Sequence, residues 1–593
     1  MKKILVSIVF TGLCIAAGAQ TMADALNLGS TNYFGTARTI GLGNAVTAVG
    51  GDLGTIAINP AGSAVAGYSQ FTITPGVTIF NTGASWAPSY NEVTGSQAFS
   101  GYTNSGDRRF ILPNLGLALR FETGRRSGLK SWTFGLVSNM TNNFNQEIAA
   151  GGKNGGDGTL TSMAGSFALG AQMNADGAGG MLNPSVLDMD DPYTSSYYWN
   201  YLAAYGSGLI NYNYDALPDG DFYGANEYKE LVDGMYNYFV PGELNQYSSR
   251  TMMGSKNDIT MNFGFNVNDN LFLGFNFTFP TIDYRYTEQF RERAVDPSYF
   301  IVTPEYYSDG QPVIGNTTTF EAATYRYDYS ASVAGINAAV GAIWLPTANL
   351  RLGASVKTPT AYTVSEEWRI KVNTDFSDNN EDGFAETPWA ENTYNFRSPW
   401  SINLGAAYTF GTAGMISADY EMTDFSVMKF SSSDDNHYGD DSYYYVNRLN
   451  NLFCGTSHSL RLGAELRVLP FLALRAGYNI TTNPERYYTD SDGYTVDATF
   501  YDNNFDFYEN GNASLLGMKY LNAPISSISC GLGYVSAGSF FADLAVRRTS
   551  YPESYFSPYS TYLSVGNGQT VISPCVAGNR RAVDAVLTLG WRF

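Results

Sequence analysis

The sequence predicts an all-β fold, a 14-stranded antiparallel transmembrane β-barrel closed on itself. Three observations predict it. Apolar and polar residues alternate with period two in segment after segment, the mark of strands with one lipid face and one wet face. Beyond its first residues the chain holds no uncharged apolar run of about 18 residues, so no membrane-crossing helix is available. Short and long connections alternate between the segments, as in barrels with one short-turn end and one long-loop end.

Composition agrees. A length of 593 residues would suit about four ordinary domains, yet no Pro/Ser-rich or charged linker divides it. Glycine, tyrosine and phenylalanine are abundant, at 62, 44 and 36 residues, and only 15% of the chain is charged. The net charge of −20 speaks against a nucleic-acid partner.

The leading segment reads as an export signal over residues 1–19. Lys2 and Lys3 supply the positive region, Ile4 to Ala17 the apolar region, and Ala17-Gly18-Ala19 the cleavage site. Leu13 before Cys14 is too large for a lipoprotein signal. An exported, helix-free membrane chain must close its sheet, because lipid satisfies no open strand edge. The expected location is the bacterial outer membrane, as a monomer in contact with outer-membrane lipid.

Alternation is plainest in Leu460-Arg461-Leu462-Gly463-Ala464-Glu465-Leu466-Arg467-Val468, where every even residue is apolar. Leu271 to Phe279, Leu350 to Val356 and Leu472 to Ile480 read the same way. Strands are expected near 68–80, 110–122, 131–144, 257–267, 270–288, 322–344, 349–373, 393–410, 414–430, 457–468, 471–481, 524–537, 538–549 and 582–593. Short turns follow the even-numbered strands, as at Asn268-Asp269-Asn270 and Leu469-Pro470. That places the short turns and both chain ends in the periplasm. In the last strand Leu587, Leu589, Trp591 and Phe593 alternate outward. Trp591 and the final Phe593 resemble the signal by which barrel-assembly machinery recognises its clients.

Residues 20–64 precede the barrel (65–593) and are too short for an independent domain. They are rich in small residues, with Asp24, Arg38 and Asp52 as their only charges. A compact plug in the periplasmic end of the lumen would hide their apolar surface. The stretch Gly41-Leu42-Gly43-Asn44-Ala45, then Gly50-Gly51-Asp52, then Asn59-Pro60-Ala61-Gly62 directly before the first strand resembles the FadL family, outer-membrane transporters of long-chain fatty acids and aromatic hydrocarbons. The resemblance implies fourteen strands and an N-terminal hatch ending in Asn59, Pro60 and Ala61. It implies passive transport of a hydrophobic small molecule: capture by outer loops, entry into a lumenal pocket, release when the hatch rearranges, and sideways exit near a kinked third strand. Gly41-Leu42-Gly43 lacks the preceding strand and third glycine of a nucleotide fingerprint.

The third strand loses its apolar alternation at Ser138-Asn139-Met140-Thr141-Asn142-Asn143. Asn139, Met140 and Thr141 mark either a lateral gate or a strand emerging into the headgroup region. The second outer loop, about 145–256, far exceeds ordinary loops. Within it Glu227 to Phe239 is expected to form a short helix with Tyr228, Leu231, Val232, Met235 and Phe239 on one side. That side is either a capture surface or the inside of a lid.

No cofactor, metal or catalysis is expected. Asp378-Asn379-Asn380-Glu381-Asp382-Gly383 begins like a calcium loop, but its twelfth position is Trp389; a solvated acidic turn and a loop calcium both remain open. His437 lies in an acidic loop, and His458 and Ser459 are strand neighbours facing opposite ways, unlike a catalytic pair. The wide spacing of Cys454, Cys530 and Cys575 gives no disulfide framework, with a Cys454–Cys575 loop bridge left open and Cys530 expected to face lipid. Energised transport would need a larger plug and about 22 strands. The rival use is a FadL-like barrel serving as a surface-binding or secretion-accessory protein. Its discriminator is the lumen, which inward charges at Arg461, Glu465, Arg467, Arg475, Asp543 and Arg547 mark as filled or water-lined on that side.

Overall fold

The computed structural model describes residues 21–593 except 89, 92–95, 98, 155–160, 178–194, 196–197, 214, 217–220, 309–310, 379–381, 434–442, 492, 499–500, 502–507, 510–513, 521–522, 561 and 566–568. The expected export signal and His437 therefore lie outside the described residues, as does the middle of the candidate calcium loop.

Fourteen strands form the wall. They are β1 (Gln70–Ala87), β2 (Ser100–Glu122), β3 (Leu129–Asn143, resuming as Gln146–Lys153), β4 (Leu244–Val267), β5 (Leu271–Ala294), β6 (Thr318–Trp344) and β7 (Leu350–Lys357, resuming as Ala361–Phe376). There follow β8 (Ala390–Arg397, resuming as Ser401–Thr409), β9 (Gly414–Asp424, resuming as Lys429–Ser432), β10 (Thr456–Leu469), β11 (Leu472–Thr481), β12 (Ile525–Val535), β13 (Phe540–Ser550) and β14 (Cys575–Arg592). Each pairs antiparallel with its neighbour, and β14 closes on β1 from Gln70 opposite Arg592 to Ala87 opposite Cys575. Pro359 and Pro399, which have no N–H to give a ladder, sit in the interruptions of β7 and β8.

Leu273, Phe275, Leu462, Leu466, Leu532 and Leu587 point outward and are exposed, forming the apolar belt that places the protein in a membrane. No helix among the described residues is long and apolar enough to cross one. With its closed antiparallel sheet, short turns at one end and long loops at the other, the chain is an integral outer-membrane β-barrel. Cys530 is exposed on the lipid side, and all three described cysteines are free thiols, so Cys454 and Cys575 are not bridged.

Several strands run well past their expected outer ends: β4 starts at Leu244 and β5 reaches Ala294. Above the belt the outward face is wet, as at Asp283, Arg285, Thr287 and Arg291, so the apolar alternation vanishes although the ladder continues.

The N-terminal segment departs from the expected periplasmic plug, because it threads the whole lumen. Helix α1 (Met22–Gly29) is capped by a reciprocal Thr21/Asp24 box. It packs Ala25 and Leu28 among aromatic residues of the upper barrel, and Met22 reaches the cluster formed by the outer-loop residues Phe453, Tyr501 and Tyr508. The described chain thus begins at the outer end of the lumen, not in the periplasm. From there it descends through α2 (Ala37–Gly41) and two 3-10 turns, Leu53–Ala57 and Pro60–Val65, to β1. The other end is periplasmic, with Ser69 and Phe593 exchanging backbone hydrogen bonds of 3.0 Å.

Candidate functional site

The lumen has two storeys. In the lower one the wall and the segment 36–66 meet backbone to backbone. Inward glycines supply the room: a Cβ on Gly477 would collide with the amide of Gly43, one on Gly463 with the carbonyl of Leu42, one on Gly341 with the side chain of Asn59, and one on Gly274 with Pro60 and the amide of Ala61. The residues carrying the family resemblance therefore stand where the two backbones touch. Gly43 and Asn44 both adopt positive φ, 62° and 60°, which turns the chain there; glycine does this at no steric cost and asparagine at little. Gly41 lies against Gly531, and Gly62 against Thr55. Asn59 donates to the carbonyls of Thr47 (2.7 Å) and Ala342 (3.1 Å) and accepts from the Ala61 amide (3.0 Å).

Wall side chains supply donors that the descending backbone would otherwise lack. Arg351 donates to Val49 O (2.8 Å), Arg120 to Ala66 O (2.8 Å), Asn276 to Ile56 O (2.8 Å) and Ser355 to Ile58 O (2.6 Å). Arg38 pairs with Glu465 at 3.2 Å, Arg475 bridges Glu465 and Asp543, and Arg547 pairs with Asp584 at 2.9 Å. Arg461 pairs with Glu421. The expected inward charges thus hold the plug and each other, except Arg467, which is exposed beside a periplasmic vestibule of about 370 Å³. Asp52 accepts from the Thr36 hydroxyl at 2.6 Å and from the Gly54 amide at 2.8 Å.

The upper storey sets an aromatic cluster beside a largely polar cavity. Around α1 stand Tyr362, Tyr394, Phe396, Phe425 and Phe430, with the Phe396 and Phe430 rings 5.0 Å apart. A cavity of about 340 Å³ lies between α1 and the wall, lined mainly by Asn, Ser and Thr side chains, with Phe144, Tyr284 and Phe425 among its apolar members and Lys256, Lys357, Arg461, Arg580 and Glu421 as its charges. Lys357 is paired with Asp258 at 3.2 Å. Lys256, almost wholly buried, spends its ammonium on the carbonyls of Leu28 and Ser30 at 3.2 and 3.3 Å.

Beside this cavity the wall opens. β2 and β3 pair from Glu122 opposite Ser131 only as far as Asn114 opposite Asn139. Above that level β3 bulges at Thr141, the residue skipped between Met140 and Asn142 in its register with β4. It then bends inward, where Asn143 and Asn145 offer their carbonyls to Arg580 at 3.3 and 2.9 Å. β2 from Ser100 to Pro113 keeps β1 alone as its ladder partner among the described residues. The descending segment takes the abandoned edge: Asn32 N donates to Thr141 O at 2.7 Å and Phe34 N to Met140 O at 3.1 Å. Phe34, Met140 and Ile111 pack together there, under the Arg547 guanidinium 4.2 Å from the Phe34 ring. Asn139 accepts from Asn114 at 2.8 Å, and Thr141 donates to Asp258 at 3.1 Å.

The second outer loop buries a large core through α3 (Met163–Gly177) and α4 (Trp199–Gly206), packed on the upper ends of the strands. Buried Glu292 of β5 ties it down, accepting from Met163 N (2.6 Å), Gln246 (2.7 Å) and Asn226 (3.1 Å). The expected helix at 227–239 is instead a hairpin, Tyr228–Val232 with Met235–Phe239. Its turn residues Asp233 and Gly234 have φ of 52° and 84°, and an Asp-Gly pair is the strongest short hairpin signal. The hairpin sets Tyr228, Met235 and Phe239 on one face and Leu231 on the other. All four are exposed.

Sequence reasoning missed the arm along the upper lumen and the glycine wall. The glycines were visible as inward positions of alternating strands, as Gly274 and Gly463 are; the arm left no local signal. His458 faces outward and bonds the Tyr420 hydroxyl at 2.7 Å, while Ser459 is buried inward.

Comparison with known proteins yields no matching family model and no matching curated protein. Solved structures with a similar barrel include a Pseudomonas aeruginosa FadL homologue, 12% identical, covering 95% of this chain and 99% of that one at a TM-score of 0.44. The P. putida toluene transporter TodX is 11% identical over 94% and 98% at 0.40. The Ralstonia pickettii toluene transporter TbuX is 13% identical over 96% and 100%, also at 0.40.

Proposed function

We propose that this barrel is a passive outer-membrane channel of the FadL type for hydrophobic small molecules, long-chain fatty acids foremost. The observation that carries the reading is the breach between β2 and β3, closed by the backbone of Asn32 and Phe34 beside an aromatic compartment that already holds an apolar helix. Residues 20–64 act as the hatch, with 65–593 as the barrel. A lipophile reaching the upper lumen competes with Ala25 and Leu28 for the same aromatic surface. Withdrawal of the arm uncovers that surface, frees the edge at Met140 and Thr141, and opens an exit into the hydrocarbon of the membrane. It also strips Lys256 of both its acceptors. Lys256 then keeps only the charge of nearby Asp258 and the Tyr362 ring, and a carboxylate head on the lipophile would replace the lost acceptors. Tyr228, Met235 and Phe239, on one face of the hairpin, serve as an outer capture surface without Leu231, and Trp591 with Phe593 as the assembly signal.

Uptake of a labelled long-chain fatty acid in a Gram-negative host lacking its own transporter tests this. Uptake above the empty vector, with the barrel verified as inserted, is expected; none would transfer the proposal to the surface-binding use of the same fold.

A further inference from the structure

The outer wall of this strongly acidic chain, net charge −20, carries an acid-free cationic patch. Arg108 in β2 stands opposite Ile79 in β1, Ile79 opposite Val583 in β14, and Val583 opposite Arg548 in β13. Arg581 lies one step higher, opposite Asn81 and Ser550. All three arginines are exposed and share the outward face of their strands. The row directly beneath is Phe110, Val77, Ala585 and Val546, so the guanidiniums sit on the upper rim of the lipid belt, at headgroup depth.

The outward positions of β12, β13, β14, β1 and β2 above the belt hold no carboxylate among the described residues. The nearest acids are otherwise engaged: Asp107 points inward to Arg109 at 2.7 Å and accepts the backbone amide of Arg108, and Glu553 in the loop above takes the Tyr555 hydroxyl. The opposite wall differs. There Arg326 and Arg369 share Asp328, and Glu386 takes Lys371 and Arg369.

We propose that Arg108, Arg548 and Arg581 form a docking surface for the diphosphorylated headgroup of an outer-leaflet glycolipid. Guanidiniums bind phosphate bidentately, and the phosphates of that leaflet lie at this depth. From β13 to β2 the arginines span three strand spacings, about 14 Å, which suits two separated phosphates better than one. The apolar row below accepts the acyl chains.

Native mass spectrometry of the full-length barrel in nonionic detergent, titrated with diphosphoryl lipid A, tests the surface. The variant R108Q/R548Q/R581Q should retain at least about tenfold less lipid, while R291Q/R293Q on the opposite wall matches the unaltered protein. Lipid A stripped of its phosphates should bind poorly to every variant. Equal retention by the triple variant, an equal loss in R291Q/R293Q, or equal binding of phosphatidylglycerol would each overturn the assignment. Heat-modifiable migration verifies folding first; should the triple variant fail it, the single change R548Q, with a loss of about threefold or more, is the deciding comparison.

Discussion

The two halves of the N-terminal segment are held by different balances of directional bonds and apolar contact. Residues 36–66 lie against inward glycines, with Arg120, Arg351, Asn276 and Ser355 bonding their carbonyls. Close backbone approach combined with directional donors tolerates no sliding, because an unpaired buried carbonyl costs about 1–3 kcal/mol. The arm above, residues 21–34, sets Ala25 and Leu28 against rings and is held besides by Lys256, by the two edge bonds to β3, and by the bonds that Arg547 and Asn44 donate to Tyr33 O, each at 2.8 Å. Apolar contact is non-directional, so another apolar body can take the arm's place. On the proposed function, one segment combines a plug that stays with a gate that moves.

The comparison breaks most readily in the lower storey. Gly477→Val would force a side chain into the backbone of Gly43; the expected cost is about 3 kcal/mol or more, read from denaturant unfolding of the refolded barrel. An unchanged midpoint would mean the plug is not seated there. Leu273→Arg on the lipid face should cost a similar or slightly smaller amount, about 2–4 kcal/mol at mid-depth, while leaving the lumen intact. Heat-modifiable migration together with the unfolding midpoint separates the two.

In the upper storey the changes should be functional. Lys256→Gln is expected to lower uptake of a fatty acid about tenfold, the scale of one lost charged hydrogen bond, and to leave uptake of a neutral hydrocarbon of similar size unaltered. Equal loss for both would remove the carboxylate role and leave a structural one.

The smallest expected effect lies in the folded second outer loop, the cap of the barrel. Burial pushes the Glu227 carboxyl up to about 7, against the opposing bond from the Gly224 amide. A raised carboxyl holds its proton longer in the folded cap than in the unfolded one, so the stability it contributes is present below about pH 4.5 and is lost as pH rises toward 7. Protection factors in α3, with the intrinsic rise of exchange with pH divided out, should therefore fall between those values and stay level in Glu227→Gln; a level profile in the unaltered protein would contradict it.

What could be read in the sequence follows the same division. The lipid belt imposes apolar residues at alternate positions, so Leu460 to Val468 declared itself as a strand. Above the belt that pressure ends, and β4 and β5 continue with Ser249, Arg285 or Arg293 facing outward. Periodicity could not see those extensions. In the second outer loop a helical spacing of apolar residues competed with an Asp-Gly turn, and the turn prevailed, because two residues at positive φ cannot sit inside a helix. The lower site was legible through Asn59, Pro60 and Gly43, whose neighbours constrain their type. The arm was not: Ala25 and Leu28 meet Phe396, Phe425 and Phe430, hundreds of residues away, and any small apolar helix would satisfy such partners.

The most direct test of the moving arm is a cysteine pair placed at Phe34 and Met140, F34C/M140C, in a background with Cys530 replaced by Ser. The account predicts that oxidation, which ties the arm to the edge of β3, lowers fatty-acid uptake to the empty-vector level and that a reductant restores it. Full uptake with the bridge formed would contradict it, since the lipophile would then be passing with the breach shut.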